Sequence, residues 1–187
     1  KASLRVDHEF GIQLGDFDLG DDYVLTAQYL YTRTEDGFLW TNRAQTDLAA
    51  AQPTGTAPDG RVIYADLDAL GIGNLTELGN YDEGEAHVLT LGLQKRFDNG
   101  FEFAVNYAYQ DVEITTEGTS SRGISNWRGI VSTDRNNPGA EVAPFQVEHS
   151  FKFSFGYERD FMPGLTTRVD LFGRIFKSDP FTYTFDT

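Results

Sequence analysis

One hairpin constrains this chain more than any other stretch. Residues 87–97 and 101–111 flank Asp98-Asn99-Gly100, and Gly100 can supply the positive φ that a three-residue bulged loop demands. Closing that loop sets Phe97 opposite Phe101, and the register then runs in steps of two. Lys95 faces Phe103, Leu93 faces Val105, Leu91 faces Tyr107 and Leu89 faces Tyr109 on one side. Arg96 with Glu102, Gln94 with Ala104, Gly92 with Asn106 and Thr90 with Ala108 take the other. An apolar, aromatic face therefore backs onto a small, polar or charged one. Each strand runs about eleven residues, the length that crosses a bilayer when tilted. Such a ribbon has the pattern of an outer-membrane β-barrel wall, with one face to lipid and one to the lumen.

The same alternation marks four further strands. Around residues 3–14, Leu4, Val6, His8, Phe10 and Ile12 share a face, and Ser3, Arg5, Asp7, Glu9 and Gln13 share the other. Around 23–34, Tyr23, Leu25, Ala27, Tyr29 and Tyr31 oppose Thr26, Gln28 and Thr32. Around 149–159, Phe151, Phe153, Phe155 and Tyr157 oppose Ser150, Lys152, Ser154 and Glu158. Around 165–177, Leu165, Val169, Leu171 and Ile175 oppose Arg168, Asp170 and Arg174, with Phe172 and Phe176 interrupting the polar face. The expected fold is all-β, an antiparallel up-and-down meander of six long strands. Its connections alternate: residues 15–22, 98–100 and 160–164 are short, whereas 35–86 and 112–148 are long. Tight periplasmic turns and long extracellular loops produce that asymmetry in outer-membrane barrels. Inside a compact soluble domain, structureless loops of this length would count against the strands.

Composition agrees. A net charge of -14 and the lack of any long apolar run exclude helical membrane spans, but not strands that alternate. The acidic balance excludes nucleic acid as a partner, because phosphate binding needs clustered Lys and Arg. Cysteine is absent, so no disulfide framework or cysteine metal site exists. Aromatics at 14% suit interfacial girdles. No signal peptide opens the chain, which begins inside a strand pattern.

Closed membrane barrels begin at eight strands. A six-stranded sheet open in lipid leaves unpaired backbone groups, each costing roughly several kcal/mol. The whole of residues 1–187 is therefore expected to be one partial barrel domain, an arc of a larger wall without a plug domain. Closure by several copies is the alternative.

Three stretches carry a family resemblance. The first is Pro58-Asp59-Gly60-Arg61-Val62-Ile63-Tyr64. The second is Leu89-Thr90-Leu91-Gly92-Leu93-Gln94-Lys95-Arg96-Phe97-Asp98-Asn99-Gly100-Phe101 with the Tyr-rich strand that follows. The third joins Asp134-Arg135-Asn136-Asn137-Pro138, Phe145-Gln146-Val147-Glu148-His149 and Ser178-Asp179-Pro180-Phe181-Thr182-Tyr183-Thr184-Phe185. Together they resemble the TonB-dependent receptors, and within them the Oar-like branch that carries a carboxypeptidase-regulatory-like domain before its plug. Asp179 departs from that branch, where the stretch reads closer to Ser-Gly-Arg-Pro-Tyr-Ser. The resemblance implies a 22-stranded barrel in a Gram-negative outer membrane, occluded by a plug and energised through TonB. Implied partners are outer-membrane lipid and lipopolysaccharide, the plug and TonB through parts of the protein absent from this sequence, and an unidentified large substrate.

Chemistry-bearing residues are sparse. His8, His87 and His149 lie on separate strands without ligand spacing, and no nucleophile elbow or phosphate loop occurs. No enzyme activity, metal or cofactor is expected. Asp66 and Asp68, then Asp82, Glu83 and Glu85, read as a solvated acidic loop, with divalent-ion binding the sharper alternative. Residues 136–139 read as a turn. Phe38, Trp40, Tyr64, Trp127 and Phe145 fall in wet segments, where they contact substrate, pack the loops or join a girdle. The inward charges are Arg5, Asp7, Glu9, Arg96, Glu102, Lys152, Glu158, Arg168, Asp170 and Arg174. They are expected to pair across strands and to meet a plug, with substrate passage the second reading.

The leading expectation is a segment of a TonB-dependent outer-membrane transporter, forming wall and extracellular loops for uptake or export of a large substrate. The alternatives are a passive porin-like barrel and a secreted soluble β-sandwich adhesin or binding module. Strands of ten or more residues are long for a sandwich.

Overall fold

A computed structural model describes residues 1–15, 17–181 and 183. Its elements, in chain order, begin with β1 (Ala2–Phe10), β2 (Gln13–Leu14), β3 (Phe17–Asp18), β4 (Tyr23–Arg33), β5 (Gly37–Asn42) and α1 (Arg43–Asp47). A 3-10 turn (Ala49–Ala51), β6 (Pro53–Thr56), β7 (Val62–Tyr64), β8 (Thr76–Tyr81), β9 (Glu85–Arg96) and β10 (Phe101–Ile114) follow. The last are α2 (Gly123–Arg128), β11 (Glu141–Val142), β12 (His149–Met162) and β13 (Leu165–Phe176). Asp16, Thr182 and residues 184–187, and with them the end of the third resembling stretch, lie outside the described residues. The chain divides into a strand unit (Lys1–Thr32, Ala86–Asp111 and Phe145–Pro180) and a loop unit built mainly from Arg33–Glu85 and Val112–Pro144.

The strand unit is a single antiparallel meander in the order β1-β4-β9-β10-β12-β13. Period-two alternation dictates its register. Leu4 pairs with Tyr29, Val6 with Ala27, His8 with Leu25 and Phe10 with Tyr23, which gathers the apolar residues of β1 and β4 on one face. Across the other end of the sheet, Phe155 lies between Phe103 and Leu171, and Tyr157 between Phe101 and Val169. At the central hairpin the Phe97 N–H donates to the Phe101 carbonyl at 2.7 Å, and Gly100 has φ 90°. Gly100 has a second reason to be glycine. A Cβ there would collide with the Glu158 carbonyl oxygen, where β12 crosses the turn.

The first strand is shorter than the 3–14 alternation suggests. It ends at Phe10, and Gln13 and Leu14 pair instead with Asp18 and Phe17 in a separate two-residue ribbon. The break comes at Gly11, where a Cβ would collide with the Asp21 carboxylate, and at Asp22, whose φ of 66° turns the chain before β4. At the opposite edge, Phe172 and Phe176 stand opposite Ser154 and Ser150 on the polar face of β13, and Phe172 is 80% exposed.

No core lies beneath this sheet. Of the buried hydrophobic residues among those described, only Tyr23 belongs to it, whereas Leu4, Leu91, Phe155, Leu171 and Ile175 are exposed on its apolar face. The chain exposes 12924 Å², against roughly 9,000 Å² for a compact monomer of its mass. A soluble sandwich would bury this face against a second sheet rather than leave it exposed.

Aromatic rings frame the apolar band at both ends. At the short-turn end, Phe10, Tyr23, Phe97 and Phe103 form a chain of ring contacts, and the Phe101 ring lies tilted against Tyr157 with centroids 4.3 Å apart. At the long-loop end, the Tyr29 hydroxyl meets His87 Nδ1 at 2.6 Å and the Tyr107 hydroxyl meets His149 Nδ1 at 2.8 Å. Six to ten residues separate the two levels, about 20–33 Å along a strand and about 15–25 Å of height at a 40° tilt. Lys95, the one cation on this face of the hairpin, reaches out of the band. Its Nζ lies 4.3 Å from the Tyr23 ring centroid and hydrogen-bonds the Asp21 carbonyl, so the stem is buried and the charge sits at the end.

The long connections, expected to be structureless, are folded. β5 pairs with β8 from Gly37–Tyr81 to Asn42–Thr76, β6 pairs with β7, and β11 pairs with the end of β10. Ala44, Ala51 and Leu67 make a small core with Ile72 against it.

Candidate functional site

A polar hub holds the loop unit together. Asn42, at the end of β5, is fully buried; its side chain donates to Asn74 Oδ1 at 2.8 Å and accepts the Leu75 N–H at 3.2 Å. The Asn42 backbone N–H donates to Asn136 Oδ1 at 2.8 Å, and the Trp127 indole donates to the same oxygen at 2.9 Å. Asn136 also donates to Gln45 Oε1. Asp134 then accepts the Asn136 N–H and the Tyr64 hydroxyl, each at 2.9 Å. Two long loops, far apart in sequence, are thereby joined through one asparagine. Residues 136–139 thus do more than turn the chain.

Beside this hub lies a cleft of about 260 Å³ lined by Gln45, Arg61, Tyr64, Trp127, Thr133 and Arg135, with Ala57, Val62 and Ile63 as its apolar part. Local structure sets Arg61 in place. Ala57, Pro58, Asp59 and Gly60 form a tight turn closed by the Gly60 N–H on the Ala57 carbonyl, with Gly60 at φ 88°. Asp59 accepts the Arg61 N–H and pairs with its Nε at 2.8 Å. β7 is tied to the far wall where the Val62 N–H donates to the Thr133 carbonyl at 2.7 Å. The Arg135 guanidinium lies 6.0 Å from the Trp127 ring centroid. Burial, and then the positive charges of Arg61 and Arg128, hold the Arg135 pKa below the usual arginine value. Burial first, and then Asp134, push the Tyr64 hydroxyl above its ordinary value, although Asn136 works against this. Tyr64 therefore stays a protonated donor.

The five loop aromatics divide. Tyr64 and Trp127 line the cleft. Trp40 packs on α2, where a Cβ at Gly123 would meet its ring at 2.7 Å, and Phe38 covers Gly118 in the same manner. Phe145 stands apart, 60% exposed in the strand unit. Arg61 and Arg135 did not stand out in the sequence; the available signal was two arginines beside Asp-Gly and Asn-Asn turns in an otherwise acidic chain.

The acidic loop residues take local roles. Asp66 accepts the Asp68 N–H, and Glu83 accepts the Ala140 N–H. Among the described residues no group of three or more His, Cys, Asp or Glu is placed to hold a metal ion.

On the polar face of the sheet, Arg168 is the centre of a network. It binds Asp170 at 2.8 Å, Glu158 at 3.4 Å and Glu102, while Arg96 lies 4.0 Å from Glu102. Gly156 sits between Glu102 and Asp170 in register, and its missing side chain leaves room for both. Arg5 pairs with Asp7. Lys152 differs: it stands directly across from Arg174, which turns to Ser150 and to the Phe176 ring.

A family model described as an outer membrane beta barrel domain matches residues 15–173. The chain belongs to that family. No curated protein and no solved structure matches it. As an outer membrane beta barrel domain, the sheet presents its apolar face to lipid and its charged face to the lumen. The folded long connections are then its extracellular loops. The exposed apolar surface follows, because lipid takes the place of a core.

Proposed function

We propose that this chain is wall and extracellular loop of a TonB-dependent transporter of the Oar-like type, a non-enzymatic carrier of a large substrate. The observation that carries this reading is Phe172, 80% exposed on the lumen face, with Phe176 on the same side. A water-filled pore leaves these rings wet at a cost, whereas a plug domain covers them. The uncompensated pair Lys152 and Arg174 supports the same reading, because like charges directly opposite each other are destabilising unless an acidic partner meets them. β1 and β13 each have one unpaired edge among the described strands. In lipid those edges require further strands, consistent with a barrel larger than six. Partners under this reading are the lipid and lipopolysaccharide around the wall, the plug inside it and TonB beneath it.

Planar-bilayer conductance of the full-length protein tests the proposal. A plugged barrel stays closed until urea unfolds the plug, and substrate uptake by cells stops when TonB is deleted. An open channel from the first insertion, or uptake indifferent to TonB, overturns it in favour of a passive porin.

A further inference from the structure

In a chain of net charge -14, Arg61 and Arg135 line one cleft of the loop unit, and the charge of Arg128 acts on Arg135 from nearby. Arg61 is engaged by Asp59. Arg135 and Arg128 make no ion pair with any described carboxylate, and Arg61 and Arg128 each lie close enough to Arg135 for like charge to act on it. The Arg135 guanidinium also lies over the Trp127 ring, 6.0 Å from its centroid. Around it the cleft offers the polar side chains of Gln45, Ser132 and Thr133 and the apolar sides of Ala57, Val62 and Ile63. Two arginines line the cleft, and of these only Arg61 is held by a carboxylate among the described residues, which leaves the guanidinium of Arg135 available to an anion. The apolar wall favours an organic skeleton over a bare inorganic ion, and a volume of about 260 Å³ admits a group of sugar-ring or amino-acid size.

We propose that this cleft is a binding site for a small organic carboxylate, which Arg135 engages with its guanidinium fork while Arg61 and Arg128 supply the field. The site does not depend on energised transport, since a porin with these loops would bind the same ligand. The carboxylate comes either from an acidic sugar or from an amino acid, and the choice of probes separates the two sources.

The test is calorimetric titration of the full-length protein in detergent at low salt. D-Glucuronate and N-acetylalanine serve as the carboxylate probes, with D-glucose and N-acetylalaninamide as neutral counterparts. The expected result is saturable one-site binding of at least one carboxylate and none of its neutral counterpart. Arg135→Gln is expected to weaken binding tenfold or more, the scale of a lost charge-assisted hydrogen bond, and Arg135→Lys to restore part of it. Should Arg135→Gln fail to migrate as a folded barrel on a gel, Arg128→Gln serves instead, with a loss of a few-fold that vanishes at high salt. Equal binding of the neutral compounds, no binding of either carboxylate, or affinity unchanged by these substitutions overturns the assignment.

Discussion

Replacing Phe153 with Arg puts a charge at the centre of the lipid-facing band, and the register sets how much that costs. Phe153 lies between Val105 and Gly173, four residues from the Tyr157 level and four from the His149 level. Four residues span about 13 Å of strand, or about 10 Å of depth at a 40° tilt, so Phe153 sits near the bilayer midplane. An Arg on the lipid face costs about 2–4 kcal/mol at that depth and about 0–1 kcal/mol at the interface. Val169, paired with Tyr157, is the interfacial control, and Ser154 is the control for the opposite face. Phe153→Arg also uncovers Gly173, over which the Phe153 ring lies. The assay is reversible urea unfolding of the full-length protein in phospholipid vesicles. Phe153→Arg should shift the folding constant roughly 30- to 700-fold. Val169→Arg and Ser154→Arg should each cost about 1 kcal/mol or less. Equal costs at Phe153 and Ser154 would refute the assignment of faces, and equal costs at Phe153 and Val169 would refute the depth.

Two turn glycines separate backbone conformation from close approach. Gly164 has φ 80° and open space around it, so Gly164→Ala should cost about 1 kcal/mol, whereas Gly100→Ala adds a collision with the Glu158 carbonyl and should cost more in the same unfolding assay. Asn136→Ala strips an acceptor from the Asn42 N–H and the Trp127 indole, at about 1–3 kcal/mol for each donor left buried. Limited proteolysis should then cut the loop unit sooner while the barrel keeps its folded gel mobility. The Tyr64 hydroxyl is held above its ordinary value near 10, so its contribution to loop stability is intact below about pH 10 and is lost as pH rises through its folded value. Phenolate absorbance should show Tyr64 titrating later than exposed tyrosines, together with Tyr81, which burial also raises, and Tyr64→Phe should reduce that late component.

The wall was legible in the sequence because its physics is local. Leu89, Leu91 and Leu93 alternate with Thr90, Gly92 and Gln94, and a period of two admits no helix. The Asp98-Asn99-Gly100 turn then sets the register. Where the reading went astray, two near neighbours disturbed the ladder. Gln13 continues the alternation of β1, but Gly11 meets Asp21 and Asp22 enters the left-handed region, so pairing restarts beyond them. Alternation along one strand does not reveal such a break, because its cause lies in the segment that leads into the partner strand.

The loop unit was hardest to read, for a related reason. Residues 37–42 and 76–81 pair across a separation that no turn signal spans, and Gly79 and Asn80 weaken the alternation of β8. Its centre is Asn136, which in sequence belongs to Asn-Asn-Pro-Gly and so reads as a turn. Only the fold shows that its oxygen serves donors from β5 and α2 at once. The cleft has the same character. Arg135 is unremarkable beside Asp134 until Arg61 and Arg128 arrive from other segments, and a cluster of like charges then requires an explanation that no single segment contains. Lys152 and Arg174 pose the same problem on the lumen wall, for each is an ordinary lumen residue alone and a repulsive pair in register. An anion in the loops and an acidic partner in the lumen are separate answers. Arg135→Gln leaves the lumen pair untouched, so the two are tested independently.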